Sequence, residues 1–133
     1  GVNNTDVWLV KSKDNGLTWS KPMKVNDDNT NTQQFMSWFT IDQSTGRLYC
    51  LFYDRRNYTD AQTDVYMAYS DNGGESFVNI KVNENPFLPS KGIFFGDYIN
   101  IAAHNNIVRP IWMSLHNNKM AVWTALIDGA ELK

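Results

Sequence analysis

Ser12-Lys13-Asp14-Asn15-Gly16-Leu17-Thr18-Trp19 returns 58 residues later, in altered form, as Ser70-Asp71-Asn72-Gly73-Gly74-Glu75-Ser76-Phe77. The shared pattern is Ser-x-(Asp/Asn)-x-Gly-x-(Thr/Ser)-aromatic. Each position helps to make a turn. The Asp or Asn oxygen accepts local backbone N–H bonds, the glycine supplies a positive φ, and the aromatic packs beneath the turn. Upstream the match runs without a gap, Thr5-Asp6-Val7-Trp8-Leu9-Val10-Lys11 against Thr63-Asp64-Val65-Tyr66-Met67-Ala68-Tyr69. Downstream, Lys24-Val25-Asn26 matches Lys81-Val82-Asn83 at an offset of 57, so one deletion separates the copies. Two weaker relations agree: Met36–Ile41 against Gly96–Ile101 at 60, and Asp64–Ala68 against Ala121–Ala125 at 57. A fixed period of this length is the mark of a repeat architecture.

Within each unit the runs alternate in polarity or are wholly apolar. They are rich in β-branched and aromatic residues and are bounded by Gly, Asn and Asp, which predicts strands. Labelled A to D, they fall at about 35–42 and 95–103 (A), 47–54 and 107–114 (B), 6–12, 64–70 and 120–127 (C), and 21–26 and 78–83 (D). Residues 1–133 therefore read as one all-β segment: C-D strands over 1–26, a full A-B-C-D unit over 34–83, and A-B-C strands over 94–127. Four antiparallel strands per unit predict a β-propeller blade, and the chain about two to three blades. Pro110 inside the last B strand is the local objection, tolerable where no donor is needed.

Composition agrees with that class. Five Trp, six Tyr and seven Phe among turn-forming Asn and Asp favour strands over helices. The net charge of −2 offers no electrostatic footprint for nucleic acid or an anionic membrane. The lone Cys50 lies in the apolar run Leu48–Tyr53, which excludes an internal disulfide and predicts a buried thiol. No apolar run approaches a membrane span, and no signal segment opens the chain.

The two turns resemble the Asp box (BNR repeat) of sialidases and related propellers, with Ser12, Asp14, Gly16 and Trp19 in one copy and Ser70, Asn72, Gly74 and Phe77 in the other. Phe52-Tyr53-Asp54-Arg55-Arg56-Asn57 and Phe95-Gly96-Asp97-Tyr98 also look like recurrent phrases of bacterial sialidase-like proteins. The resemblance implies a propeller, commonly six-bladed, of roughly 350 residues at this repeat length. On that reading the chain is the C-terminal segment of a secreted, periplasmic or cell-surface glycoside hydrolase of exo-sialidase type, inactive in isolation. The alternative is a non-catalytic Asp-box propeller that binds carbohydrate or protein. An open fragment exposes strand edges and blade faces, so self-association, or association with missing blades, is expected.

Strand alternation places the D–A and B–C loops at one end of each unit, and the A–B turns and Asp boxes at the other. The resemblance puts substrate at the D–A and B–C end. There Asp54, Arg55 and Arg56 form the strongest charged cluster. An arginine can grip a carboxylate by a bidentate fork, as the family's arginine triad does for sialic acid; the plainer reading is an Asp54–Arg55 or Asp54–Arg56 brace. Asp97 and Tyr98 open the last A strand, where the family's tyrosine nucleophile works with a glutamate base. Trp38, set opposite Tyr98 by the 60-residue offset, favours an aromatic that only packs, with its hydroxyl bonded. Asp27 and Asp28, in Asn26-Asp27-Asp28-Asn29, are oxygen ligands of the kind calcium takes, in a spacing that fits no defined loop. No cofactor is otherwise implied. His116 lacks a metal-binding companion and reads as a surface loop residue.

Overall fold

The computed structural model describes residues 4–90, 92, 98–117 and 119–133. Among these the chain is all-β, with three antiparallel sheets and no α-helix. Strands β1 (Trp8–Leu9) and β2 (Met23–Lys24) form a hairpin. Strands β3 (Gln34–Ile41), β4 (Leu48–Asp54), β5 (Asp64–Ser70) and β6 (Val78–Lys81) form a four-stranded meander in chain order. The third sheet holds β7 (Asn100–His104), β8 (Ile107–His116), β9 (Lys119–Thr124) and β10 (Ile127–Asp128), followed by a single 3-10 turn at Gly129–Glu131. No described helix is long and apolar enough to cross a membrane.

Three boundaries differ from expectation. The first hairpin pairs over two residues a strand rather than over 6–12 and 21–26, because its register slips beyond Met23, where Lys11 bonds to Ser20 rather than to Lys21. Hydrogen bonds from Val25 N to Val7 O and from Ser20 N to Lys11 O continue the pairing on either side. The last C strand is split into β9 and β10, both along the same edge of β8: Ile111 pairs with Thr124 and Val108 with Ile127, with β7 on the other edge. Pro110 explains the split. Its carbonyl accepts the Thr124 hydroxyl at 2.7 Å, so its nitrogen, which lacks a proton, faces that same edge at Ala125-Leu126, where no ladder bond is made. Of the A strand expected at 95–103, residues 100–103 fall in β7, residues 98–99 are not strand, and residues 95–97 lie outside the described residues.

The repeat found in the sequence is a repeat of register and of hydrogen bonds. Trp8 opposes Lys24 as Tyr66 opposes Lys81, and Leu9 opposes Met23 as Met67 opposes Ile80. At one end of each hairpin the same clasp recurs. Asn26 Oδ1 accepts Val7 N at 2.9 Å and Asn83 Oδ1 accepts Val65 N at 2.7 Å. Their amides donate to Asp6 and Asp64, and those carboxylates pair with Lys24 and Lys81 at 3.3 and 2.9 Å. This explains why Asp-Val and Lys-Val-Asn recur together: each is half of one polar lock.

The central strands of the middle sheet, β4 and β5, are buried on both faces, and strand alternation assigns them. Tyr49, Leu51, Tyr53, Val65 and Met67 point toward β7 and β8, packing on Ile101, Val108 and Trp112. Cys50, Phe52 and Ala68 point the other way, onto Val7 and Val25 of the first hairpin. Burial pushes the Cys50 thiol up to about 12, as an inert core residue requires. The three units thus stack in layers, with strand β3 beside β7. None of the sheets closes on itself.

Candidate functional site

The two ends of the stack are chemically different. At the turn end, the Ser-x-(Asp/Asn)-x-Gly turns have matching internal bonds. Ser12 Oγ accepts Gly16 N at 2.8 Å and donates to Asp14; Ser70 Oγ accepts Gly74 N at 2.9 Å and donates to Asn72. Thr18 N and Ser76 N both return to the Asp14 or Asn72 oxygen. The positive φ that the pattern demands appears at two positions per turn, Asn15 with Gly16 and Gly73 with Gly74. The bonds from Thr18 and Ser12 hold the Asp14 carboxyl down to about 2. Phe77 packs against the small core cluster, whereas Trp19 lies against Gly16 of its own turn, as expected, but is otherwise 62% exposed. Phe77 reaches the hairpin of the preceding unit, and no such unit precedes the first turn among the described residues. Also at this end, Asp42 is wholly buried and accepts the N–H groups of Asn105 and Asn106, tying the two A–B turns together. Burial works against its charge, yet these bonds and that of Ser44 N hold its carboxyl below the usual range.

At the loop end the charged cluster separates into two arginines with different surroundings. Arg56 is the brace. Its guanidinium donates to Asp54 at 2.8 Å, to Asp27 and to Asn79, and stacks 4.2 Å above the Tyr66 ring. It therefore ties the B–C loop to the D–A loop of the preceding unit. Burial lowers its proton affinity, but Asp27 and Asp54 more than restore it. Asp54 is fully buried; burial raises its carboxyl despite bonds from Arg56 and Gln34 Nε2.

Arg55 has no carboxylate partner among the described residues. It donates to Gln33 Oε1 and, at 3.2 Å, to Thr63 Oγ1, and its guanidinium lies 5.0 Å above the Phe35 ring. Burial alone depresses its proton affinity, the mark of a cation whose neighbours do not neutralise it. Sequence reading singles out Arg55 but misses Gln33 and Thr63, whose neutral acceptors become legible only when the D–A loop is folded over the B–C loop.

Tyr98 is 79% exposed beside an open apolar cleft of about 390 Å³ that Trp38, Ile111 and Val122 also line. The expected packing of Tyr98 with its hydroxyl bonded is not seen among the described residues. No glutamate joins it: Glu75 pairs with Lys11, Glu84 follows β6, and Glu131 lies in the terminal 3-10 turn. Register also moves its equivalent. Leu51 and Ile111 share partners, Met67 and Thr124, that are related by the C-strand offset; Trp38 opposes the first and Asn100 the second, so Asn100 rather than Tyr98 matches Trp38. Asp97 lies outside the described residues.

The calcium candidates have other partners. Asp27 pairs with Arg56, and Asp28 accepts Asn26 Nδ2 at 2.6 Å along with both Thr30 donors. Among the described residues no group of three or more His, Cys, Asp or Glu side chains is placed to hold a metal ion. His116 is a correction: it ends β8, half-buried, its ring edge-on to Trp123 at 5.2 Å and bonded to Ser114 at 3.1 Å. Together with Glu84 and Trp112 it lines a cavity of about 320 Å³ at the loop end.

No protein-family model matches the chain, and comparison with curated proteins finds no match.

Proposed function

We propose that this chain is part of a sialidase-like Asp-box β-propeller and that it contributes Arg55 to a site for a carboxylate-bearing sugar. The propeller reading rests on three layers that repeat one register, on paired turns with the same bond pattern, and on A strands β3 and β7 lying side by side as inner strands do. The observation that carries the binding site is the half-buried Arg55 guanidinium with only neutral partners. Arg56 is committed to the brace, so of these two loop-end arginines Arg55 is the one with donors to exchange for a bidentate carboxylate. The absence of a glutamate beside Tyr98 among the described residues favours binding over hydrolysis for the chain's own residues.

The test titrates the chain with N-acetylneuraminic acid and with its methyl ester, following the Arg55 Nε–H resonance. One arginine in an accessible site supports weak binding, with Kd in the millimolar range, about 4 kcal/mol. The acid should bind, and both the ester and Arg55→Gln should weaken binding roughly tenfold. Equal binding of acid and ester would sink the proposal. Release of a fluorogenic sialoside by the isolated chain, abolished in Tyr98→Phe, would replace it with a catalytic one.

A further inference from the structure

The cavity at His116 repeats, one unit later, the place that Arg56 fills. Register makes the correspondence: Tyr53 opposes Val65 and Asp54 opposes Asp64, while Met113 opposes Val122 and Ser114 opposes Ala121. Ser114 thus stands where Asp54 stands, and His116 where Arg56 stands. The contacts agree independently. Arg56 bonds Asp54 and stacks on Tyr66; His116 bonds Ser114 and packs against Trp123, the residue in register with Tyr66. Across the layer boundary, Asn83 repeats the clasp of Asn26, so Glu84 follows it as Asp27 follows Asn26.

What differs is how the space is filled. Between the first two layers the guanidinium of Arg56 spans from the tyrosine ring to Asp27. Between the second and third, the shorter imidazole stops at Trp123, and a cavity of about 320 Å³ opens among Glu84, Asn83, Trp112, Ser114 and Trp123. Glu84 is exposed and forms no ion pair among the described residues, unlike its counterpart Asp27. The cavity has kept the carboxylate and an enlarged aromatic surface, and lost the cation.

We propose that this cavity binds a guanidinium group, supplied by an arginine side chain of a partner or by a free alkylguanidine. The guanidinium lies on the Trp123 ring, donates to the Glu84 carboxylate, and reproduces from outside the contacts that Arg56 makes from within. A planar fork with delocalised charge suits both surfaces, whereas a compact, strongly hydrated ammonium suits the ring less well. The site is separate from Arg55, which takes the opposite charge.

The chain is titrated with N-acetylarginine amide, as the peptide-like source, and with ethylguanidinium, as the free one, while the Trp123 indole N–H is followed by NMR. N-acetyllysine amide serves as the control. Both guanidines should shift that resonance saturably and more tightly than the lysine compound; a clear preference for the arginine amide identifies a protein partner, and equal binding a small guanidine. Glu84→Gln should weaken binding roughly tenfold by removing the charge-assisted bond. His116→Arg should abolish it by filling the cavity from within. Thermal unfolding of both variants checks that the fold persists, and because the Glu84 side chain is exposed its replacement reads binding rather than folding. Binding that survives both substitutions, or that does not distinguish guanidinium from ammonium, overturns the proposal, as does the absence of any saturable shift.

Discussion

Replacing Arg56 by methionine tests whether the loop end is held by a buried charge pair. Methionine keeps an apolar stem of similar reach against Tyr66 and removes the cation with its bonds to Asp54, Asp27 and Asn79. The consequence falls mainly on Asp54, which is fully buried, and less on Asp27, whose carboxylate is half exposed. Stripping the partner from a buried carboxylate costs about 3–5 kcal/mol. Asp54 keeps the bonds from Arg56 N at 2.7 Å and Gln34 Nε2 at 3.1 Å, which places the expected loss near the lower bound, about 3 kcal/mol at neutral pH.

The sign of the pH dependence is fixed by the direction of the Asp54 shift. Its folded-state carboxyl already lies above the ordinary value because burial outweighs its bonds. A carboxyl raised on folding favours the folded state fully when protonated, and that contribution is lost as pH rises through the folded pKa. Without Arg56 the folded pKa rises further, so the deficit of the variant is greatest near neutrality and shrinks as pH falls toward about 4. Urea denaturation followed by tryptophan fluorescence, on wild type and variant at both ends of that range, measures it. Adding Asp54→Asn should recover about half of the loss at neutral pH by removing the stranded charge. A deficit under about 1 kcal/mol at neutral pH, or one that does not change with pH, refutes the reasoning.

Three further outcomes are expected. Asp14 should titrate at about 2 by carboxylate NMR; because its folded value is depressed, its contribution is complete above about pH 4 and is lost as pH falls through about 2. Asp14→Asn should keep the turn, since Asn72 makes the equivalent bonds, and abolish that acid dependence; a normal Asp14 titration contradicts the turn geometry. Trp8 and Trp19 are 57% and 62% exposed on a face whose counterparts, Tyr66 and Phe77, are packed on the preceding hairpin. Sedimentation should show concentration-dependent association that Trp8→Ser with Trp19→Ser reduces, and a wild-type chain that stays monomeric at high concentration removes this face as an interface. Gly129→Ala should destabilise by about 1–3 kcal/mol, because a Cβ there sits 2.6 Å from the Tyr49 hydroxyl oxygen; an unchanged melting temperature shows that the terminal turn moves away at no cost.

How much of this is legible in the sequence depends on whether a residue serves the repeat. Ser12 and Ser70, Asp6 and Asp64, Lys24 and Lys81, Asn26 and Asn83 recur because each pair makes the same bond, so aligning the copies locates the hairpins and both polar devices. The A and B strands are harder to align. Four residues separate Asp42 from Arg47, but only two separate His104 from Ile107, where Asn105 and Asn106 both take positive φ in a tight turn. The B–C loop is also three residues shorter in the last unit, with six residues between Ser114 and Ala121 against nine between Asp54 and Asp64. Two length changes flanking one strand erase its offset, which is why the sequence alone sets Tyr98 against Trp38 and does not set His116 against Arg56.

The same comparison separates structure from chemistry without a ligand in view. Positions alike in successive units are those a layer needs in order to close its hairpin. Positions that differ between units at a shared place in the register are free of that duty. Asp54, Arg55 and Arg56 in the middle unit stand where Ser114, Leu115 and His116 stand in the last, and all six lie at the loop end. Arg56 is spent on a brace whose counterpart is an open cavity, and Arg55 keeps a charge that its neighbours do not neutralise. A repeat fold varies most cheaply where its layers do not depend on one another, and here that variation leaves, among the described residues, an uncompensated cation on one unit and an uncompensated carboxylate, Glu84, beside the next.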